Sequence, residues 1–289
     1  MLIPSLADLL AAWRARVVAD KAQVEGAREV EDPADFYAPV KDRFRMDPRR
    51  TDDATLEALL GLARPDDVWL DVGAGGGRYA LPLALAVREV VAIDPSPAML
   101  AALREDAGAN GIANVTAIEA RWPMADPPTG DVALMAHVGY DIADIGPFLD
   151  QFEAQAGRLC VAVLGESAMT TMATLFWQQV HGEPRVRLPA LPELLVLLAA
   201  RRRLPEIRLV DRTPPTFDSL DEAHAMARRQ LWLREGSAKD RKLRRLVDQA
   251  ATERDGRLDA LVRSVASREL DPYSAARRLA EAVGGPAVE

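Results

Sequence analysis

The chain has 289 residues, 49% of them apolar, with 36 Lys and Arg against 44 Asp and Glu and one cysteine, Cys160. That is enough for one large domain with additions, or two small ones, around a substantial core. No run reaches the roughly 18–20 apolar residues of a membrane span, the N-terminus lacks the charged start and apolar core of a signal peptide, and one cysteine cannot close an internal disulfide; a cytoplasmic protein without membrane contact is expected.

Residues 5–25 read as an amphipathic helix. Pro4-Ser5 supplies a start signal, and Leu6, Leu9, Leu10, Trp13 and Val17 recur at helical spacing. Residues 31–50 lose that rhythm at Pro33, Pro39 and Pro48 but carry Phe36, Tyr37 and Phe44. These aromatics either anchor a connector to the core or belong to a lid, and residues 1–50 are taken together as an N-terminal helical cap. Thr51-Asp52-Asp53 then caps a helix with Leu56, Leu59 and Leu60.

Val68 to Val72 is a short apolar strand carrying Asp71. Glycines follow at 73, 75, 76 and 77 before an Ala/Leu-rich helical pattern. Strand, glycine loop and helix in that order build a nucleotide-type site at the carboxyl edge of a parallel sheet. Glycine is needed there because a Cβ would hold the backbone off the ligand and forbid positive φ. Pro82 is tolerated only in a helix's first turn, so the helix starts at Arg78 or Tyr79 and the loop runs through Gly77 with free N–H groups toward the ligand. Arg78 stands where a dinucleotide fingerprint wants its third glycine, which disfavours an NAD-dependent dehydrogenase, and no Gly-Lys-Ser/Thr phosphate loop is present.

The run D-x-G-x-G-x-G from Asp71 to Gly77 resembles motif I of the class I S-adenosylmethionine-dependent methyltransferases. The resemblance implies an α/β fold, a Rossmann-like doubly wound and mostly parallel sheet with helices on both faces. It also implies S-adenosyl-L-methionine as cofactor. Asp71 would answer the cofactor's positively charged amino-acid end, and the backbone at Gly73, Ala74, Gly75 and Gly77 would pass beneath it.

Val90 to Asp94 is the second strand. Asp94 ends it 23 residues after Asp71, where a Rossmann-like unit places its ribose-binding acid, and a carboxylate can accept from both vicinal hydroxyls. Helix capping is the competing role, but Ser96-Pro97 already supplies cap and first-turn proline. Asp94-Pro95-Ser96 with Met99-Leu100 also looks like the family's second motif, which brings Pro95 to the cofactor. The helix from Pro97 ends near Gly108 or Gly111, and Val115 to Glu119 is the third strand. By the resemblance Glu119 is the nearest match to the residue facing the adenine amino group, and Trp122 either stacks on adenine or packs in the core.

Asp131 to Ala136 is the fourth strand. Ala136 and His137 at its carboxyl end are neighbours of the cofactor's methionine part by the resemblance. His137 is the candidate general base, needed only when the attacking atom carries a proton, with Tyr140 beside it; packing is the alternative role for His137. The Asn/Asp-Pro-Pro-Tyr/Phe signature is missing, which argues against amino methylation of DNA bases or protein glutamine. A helix from Asp144 and a strand from Arg158 to Leu164 complete the alternation.

Beyond residue 166 the pattern turns helical. Residues 180–185 read as a polar loop, Leu191 to Arg203 as a helix, Ile207 to Arg212 as a sixth strand, and 219–235 and 238–254 as charged helices. No seventh strand is legible. Residues 256–283 suggest a helical hairpin for homodimerisation. The expected domains are 1–50, 51–215 and 216–289, the middle one binding S-adenosylmethionine. His137, His181 and His224 have no zinc spacing, so no metal is expected.

Charge is uneven. Residues 201–289 hold 19 Lys and Arg against 15 Asp and Glu, and residues 1–200 hold 17 against 29. The acidic excess around the site argues for a small-molecule methyl acceptor and against nucleic acid. The function expected is methyl transfer from S-adenosylmethionine to a small molecule; a non-catalytic sensor or scaffold on the same fold is the alternative.

Overall fold

The computed structural model describes residues 4–31, 33–168, 171–210, 217 and 219–252. In chain order the elements are α1 (Leu6–Ala27), a 3₁₀ turn (Ala38–Phe44), α2 (Ala54–Leu60), β1 (Val68–Val72), α3 (Ala80–Ala84), β2 (Glu89–Asp94), α4 (Pro97–Ala109), β3 (Val115–Glu119), β4 (Gly130–Ala136), α5 (Ile145–Ala154), β5 (Ala156–Val163), α6 (Thr171–His181), α7 (Leu191–Ala200), α8 (Leu220–Gln230) and α9 (Ala238–Thr252). They form two compact units, one of Asp32–Gly165 and one of the residues up to Glu31 with those from Glu166 on. These bounds differ from a division at 50 and 215, because residues 32–50 are tied to α4 by the ion pairs and hydrogen bonds described below.

The sheet unit has five parallel strands in the order β3-β2-β1-β4-β5. β1 is therefore central, flanked by β2 and β4, and the order reverses between them. That reversal opens a crevice at the strands' carboxyl ends, the ligand-binding position of open α/β sheets. The central strands are apolar almost throughout, as sheets covered on both faces are. Trp69, Val90, Ala92, Val132 and Leu134 are buried on one face. Leu81 and Leu83 of α3 and Leu100 and Leu103 of α4 join the same core.

α3 begins at Ala80, and Pro82 falls in its first turn. The Leu81 and Leu83 N–H groups bond to the Gly77 and Tyr79 carbonyls at 3.0 Å, so the proline's missing N–H costs no helical bond.

In the other unit, Phe176, Trp177 and Val180 of α6 pack with Ala227, Leu231, Leu243 and Val247. Arg185 stacks over the Trp177 ring at 4.2 Å and pairs with buried Asp20 of α1. α6 extends through His181, so the polar loop starts only at Gly182, whose φ of +89° ends the helix.

The sixth strand expected over Ile207 to Arg212 is not formed at 207–210, and 211–212 lie outside the described residues. Ile207 and Leu209 are exposed there. Apolar alternation makes a strand only beside a partner with free N–H and C=O groups. The hairpin expected at 256–283, and dimerisation through it, fall outside the described residues. Among the described residues no helix is long and apolar enough to cross a membrane, and no group of His, Cys, Asp and Glu side chains could hold a metal ion.

Candidate functional site

β1 ends at Val72 and its chain turns through Gly73 to Gly77 above the sheet's carboxyl edge. The Gly73 and Ala74 N–H groups both bond to the Ile93 carbonyl, at 2.7 and 3.1 Å, which holds the loop against the end of β2. The glycines serve three different purposes. Gly73 has φ +79°, and a Cβ there would lie 2.3 Å from Val138 Cγ2. Gly77 has φ +86°, and its Cβ would press on Leu81 and Leu103, so this glycine serves helix packing. At Gly75, φ +54°, a Cβ would meet nothing nearer than Met99 Cε at 4.0 Å. Of these three, Gly75 is the one whose Cβ would meet its nearest neighbour at ordinary contact distance.

Asp94 ends β2 with both carboxylate oxygens engaged. Oδ2 accepts the Gly75 N–H at 2.8 Å, and Oδ1 accepts the Ser96 N–H at 2.8 Å. Burial pushes its carboxyl up, against the pull of the Ser96 and Gly75 N–H groups. Each oxygen retains a lone pair, so a diol can still donate to it. Capping of α4 falls to Ser96, whose Oγ accepts the Met99 N–H at 3.1 Å. Pro95 beside Asp94 is exposed, and Glu119 is exposed in register with Asp94 at the end of β3.

Asp71 is the unusual group. Its side chain is 2% exposed, and Oδ1 has no hydrogen-bond partner among the described residues. Burial, reinforced by the nearby Asp94 charge, pushes its carboxyl up to about 7. A buried carboxyl without a partner is costly unless a cation meets it. The ammonium of an amino-acid moiety has the required charge and donors. With the lone pairs of Asp94 and the space over Gly75, the residues fit S-adenosylmethionine.

Ala136 pairs with Val163 at the end of β4. The next residue, His137, adopts φ +58°, and its N–H bonds to the Val163 carbonyl at 2.8 Å. A left-handed histidine is strained, and strain at an edge residue re-aims the side chain. His137 Nδ1 lies 3.5 Å from Tyr140 Oη, which accepts the Gly165 N–H at 2.9 Å. Tyr140 is buried. Trp122 donates its indole N–H to the Phe148 carbonyl at 3.2 Å, which engages it with α5.

The residues missed by sequence reading lie in the connector. Asp35 Oδ2 accepts from Ser96 Oγ at 2.7 Å and the Ala98 N–H at 3.2 Å. Burial pushes its carboxyl up, but the bonds from Ser96, Tyr37 and Ala98 outweigh that and hold it low. Arg45 Nε reaches Asp106 at 3.0 and 3.1 Å, and Arg45 also pairs with Glu105 at 3.0 Å. Arg49 bonds to Asn110 Oδ1 at 3.0 Å and to its carbonyl at 3.2 Å. The connector is thus stapled along α4 from N-cap to C-cap. Arg50 pairs with Asp53 at 3.0 Å and donates to the Arg78 carbonyl at 2.9 Å, while Arg78 itself reaches Asp53 at 3.1 Å. Nothing local in the sequence announces partners some 60 positions apart.

Residues 70–151 match a protein-family profile described as a methyltransferase domain. Among curated proteins, the chain is similar to a 23S rRNA (uracil(1939)-C(5))-methyltransferase RlmD of Aeromonas hydrophila, 41% identical over 121 residues, covering 40% of this chain and 24% of that protein. Its counterpart in Aeromonas salmonicida is 40% identical over 92 residues, covering 31% and 19%. The chain thus spans about a quarter or less of the length of these relatives. Among solved structures, the YcgJ protein from Bacillus subtilis is 16% identical over 71% of this chain and 87% of its own, with TM-score 0.49. A S-adenosylmethionine-dependent methyltransferase from Aquifex aeolicus is 22% identical over 43% and 73%, with TM-score 0.36.

The relatives' names overturn two linked expectations, a small-molecule acceptor and the exclusion of nucleic acid. The physical error was one of scale. The acidic excess is a sum over residues 1–200, whereas residues 41–50 beside the glycine loop carry Lys41, Arg43, Arg45, Arg49 and Arg50 against Asp42 and Asp47.

Proposed function

We propose, from a chain whose residues 70–151 belong to the class I S-adenosylmethionine-dependent methyltransferases, that this protein transfers the methyl group of S-adenosylmethionine to RNA. The observation that carries the cofactor's orientation is the buried, unpartnered Asp71 oxygen beside the Asp94–Gly75 clamp. The observation that favours RNA is the shared name of the relatives. A cytoplasmic location belongs to the same reading.

S-adenosylmethionine supplies an electrophilic methyl on a sulfonium. Asp71 would pair with its ammonium, Asp94 would accept from its ribose hydroxyls, and the backbone at Gly73, Ala74, Gly75 and Gly77 would hold it at the loop. Pro95, Glu119 and Ala136 would border its adenosine and methionine parts. His137 takes the proton from the acceptor. For its Nε2 to do so, Nδ1 must carry the other proton, and Tyr140 Oη retains a lone pair for that N–H after accepting from Gly165. Tyr140 is a positioning residue in this scheme.

The acceptor atom differs from the one in the relatives' names. A pyrimidine ring carbon needs a covalent nucleophile to become reactive. Cys160, the chain's one cysteine, sits in the body of β5 opposite Ala133, three residues short of Val163 at the edge. A ring nitrogen or hydroxyl oxygen of RNA requires deprotonation only, which suits His137. The test is transfer of radiolabelled methyl from S-adenosylmethionine to total bacterial RNA, followed by nucleoside analysis. Label in a methylated nucleoside is the expected result; no label in ribosomal, transfer or messenger fractions would refute the reading.

A further inference from the structure

The connector presents an exposed aromatic cluster beside the cofactor loop. Tyr37 is 43% exposed, Phe44 39% and Met46 38%. Their rings are organised: Phe36 and Tyr37 meet edge-to-face at 5.4 Å, and Tyr37 and Phe44 at 5.7 Å. Phe44 is also adjacent to the glycine loop, since a Cβ at Gly76 would lie 3.5 Å from the Phe44 carbonyl oxygen and 3.6 Å from its Cβ. The surface is held in place by Asp35 on Ser96, Arg45 on Asp106 and Arg49 on Asn110. Such stapling makes the connector a fixed wall, whereas a swinging lid would be tied at one end only.

Scattered exposed apolar side chains need no explanation, but a rigid cluster does. Here it is set among cationic residues. Lys41 and Arg43 lie between Tyr37 and Phe44 in the 3₁₀ turn, on either side of Asp42, and the Arg49 guanidinium donates to the neutral Oδ1 and carbonyl of Asn110 while its backbone N–H donates to Asp47 Oδ1 at 2.8 Å. Flat π faces with interleaved cations are the recognition chemistry of single-stranded nucleic acid: bases stack on the rings and phosphates meet the cations.

We infer that Tyr37 and Phe44 form a stacking platform for unpaired bases of an RNA strand, delivering it to the cofactor edge between the glycine loop and His137. This rests on the RNA reading above but concerns different residues and a different readout. A platform ordered in advance loses no conformational entropy when the strand arrives.

The test uses the full chain and a fluorescein-labelled single-stranded RNA of about twelve nucleotides, a length within the range such surfaces cover. Stacking is worth about 1–3 kcal/mol per base, so Tyr37→Ala and Phe44→Ala should each raise the Kd about tenfold. Tyr37→Phe and Phe44→Tyr should stay within about twofold of wild type, and S-adenosylmethionine affinity by calorimetry should be unchanged in all four. Ala variants that bind RNA as wild type does would overturn the platform. So would a parallel loss of S-adenosylmethionine affinity, which would assign the rings to the cofactor pocket. Methyl incorporation separates the two readings. Wild type that methylates RNA, with Ala variants at unchanged KM for RNA, sinks the platform and keeps the function. Wild type that binds RNA through the rings but methylates none sinks the function and keeps the platform. A wild type that binds no RNA sinks both.

Discussion

The Asp94 carboxylate accepts the Gly75 N–H at 2.8 Å, so the acid at the end of β2 also shapes the loop that follows β1. Its other oxygen accepts from Ser96 at the head of α4. One carboxylate thus joins the strand order's reversal to the cofactor edge.

Asp94→Ala should therefore weaken S-adenosylmethionine binding by about 1.5–3 kcal/mol, the worth of charge-assisted hydrogen bonds. Calorimetric titration measures it. Because the loop loses its clamp as well, thermal stability should fall by about 1–2 kcal/mol in the same variant. An unchanged dissociation constant would contradict the ribose assignment.

Asp71 makes cofactor binding depend on pH. Its folded-state carboxyl lies up near about 7, above the unfolded value, so the folded protein binds more protons than the unfolded chain between about 4 and 7. Stability of the cofactor-free protein is then greatest below that window and declines as pH rises through it, by up to about 4 kcal/mol. Cofactor affinity runs the opposite way, rising through pH 7 as Asp71 ionises to meet the ammonium. Asp71→Asn should flatten both profiles, raise the melting temperature at pH 8 and weaken binding there. Parallel profiles for wild type and variant would refute the role.

The glycines should separate by mechanism. Gly73→Ala drives a Cβ into Val138 and into left-handed strain, and should destabilise the fold by more than about 2 kcal/mol. Gly75→Val has room for its Cβ, so the protein should still fold, with a cost nearer 1–2 kcal/mol, but lose S-adenosylmethionine binding. Denaturant midpoints and calorimetry check the pair; retained affinity in Gly75→Val would move the cofactor elsewhere.

His137 offers a split between stability and turnover. Its φ of +58° costs any residue with a Cβ, so His137→Gly should leave stability unchanged or raise it by up to about 1 kcal/mol. Turnover on RNA should drop by about 10²–10⁴-fold if the imidazole is the base. Tyr140→Phe should lower kcat more than it alters KM. Equal turnover in His137→Gly would make His137 a bystander.

The strands from Val68 to Val163, the turn at the glycines and the end of β2 at Asp94 were all legible in the chain. Their signals are local: apolar runs, glycines that tolerate positive φ, a proline in a first turn, a Ser-Pro cap. The Gly loop's ligand class came from the resemblance of Asp71 to Gly77 to a methyltransferase motif, while Arg78, standing where a dinucleotide fingerprint wants its third glycine, only disfavoured a dinucleotide. What only the tertiary structure decided depends on groups far apart in the chain. The partnerships of Asp35 with Ser96 and Arg45 with Asp106 turned a connector into a wall. The burial of Asp71 beside Asp94 raised its proton affinity, and the meeting of His137, Tyr140 and Gly165 gave the histidine an orienting partner. Charge failed as a guide to the acceptor for the same reason: a sum along the sequence discards position, and a ligand feels only the charges near it.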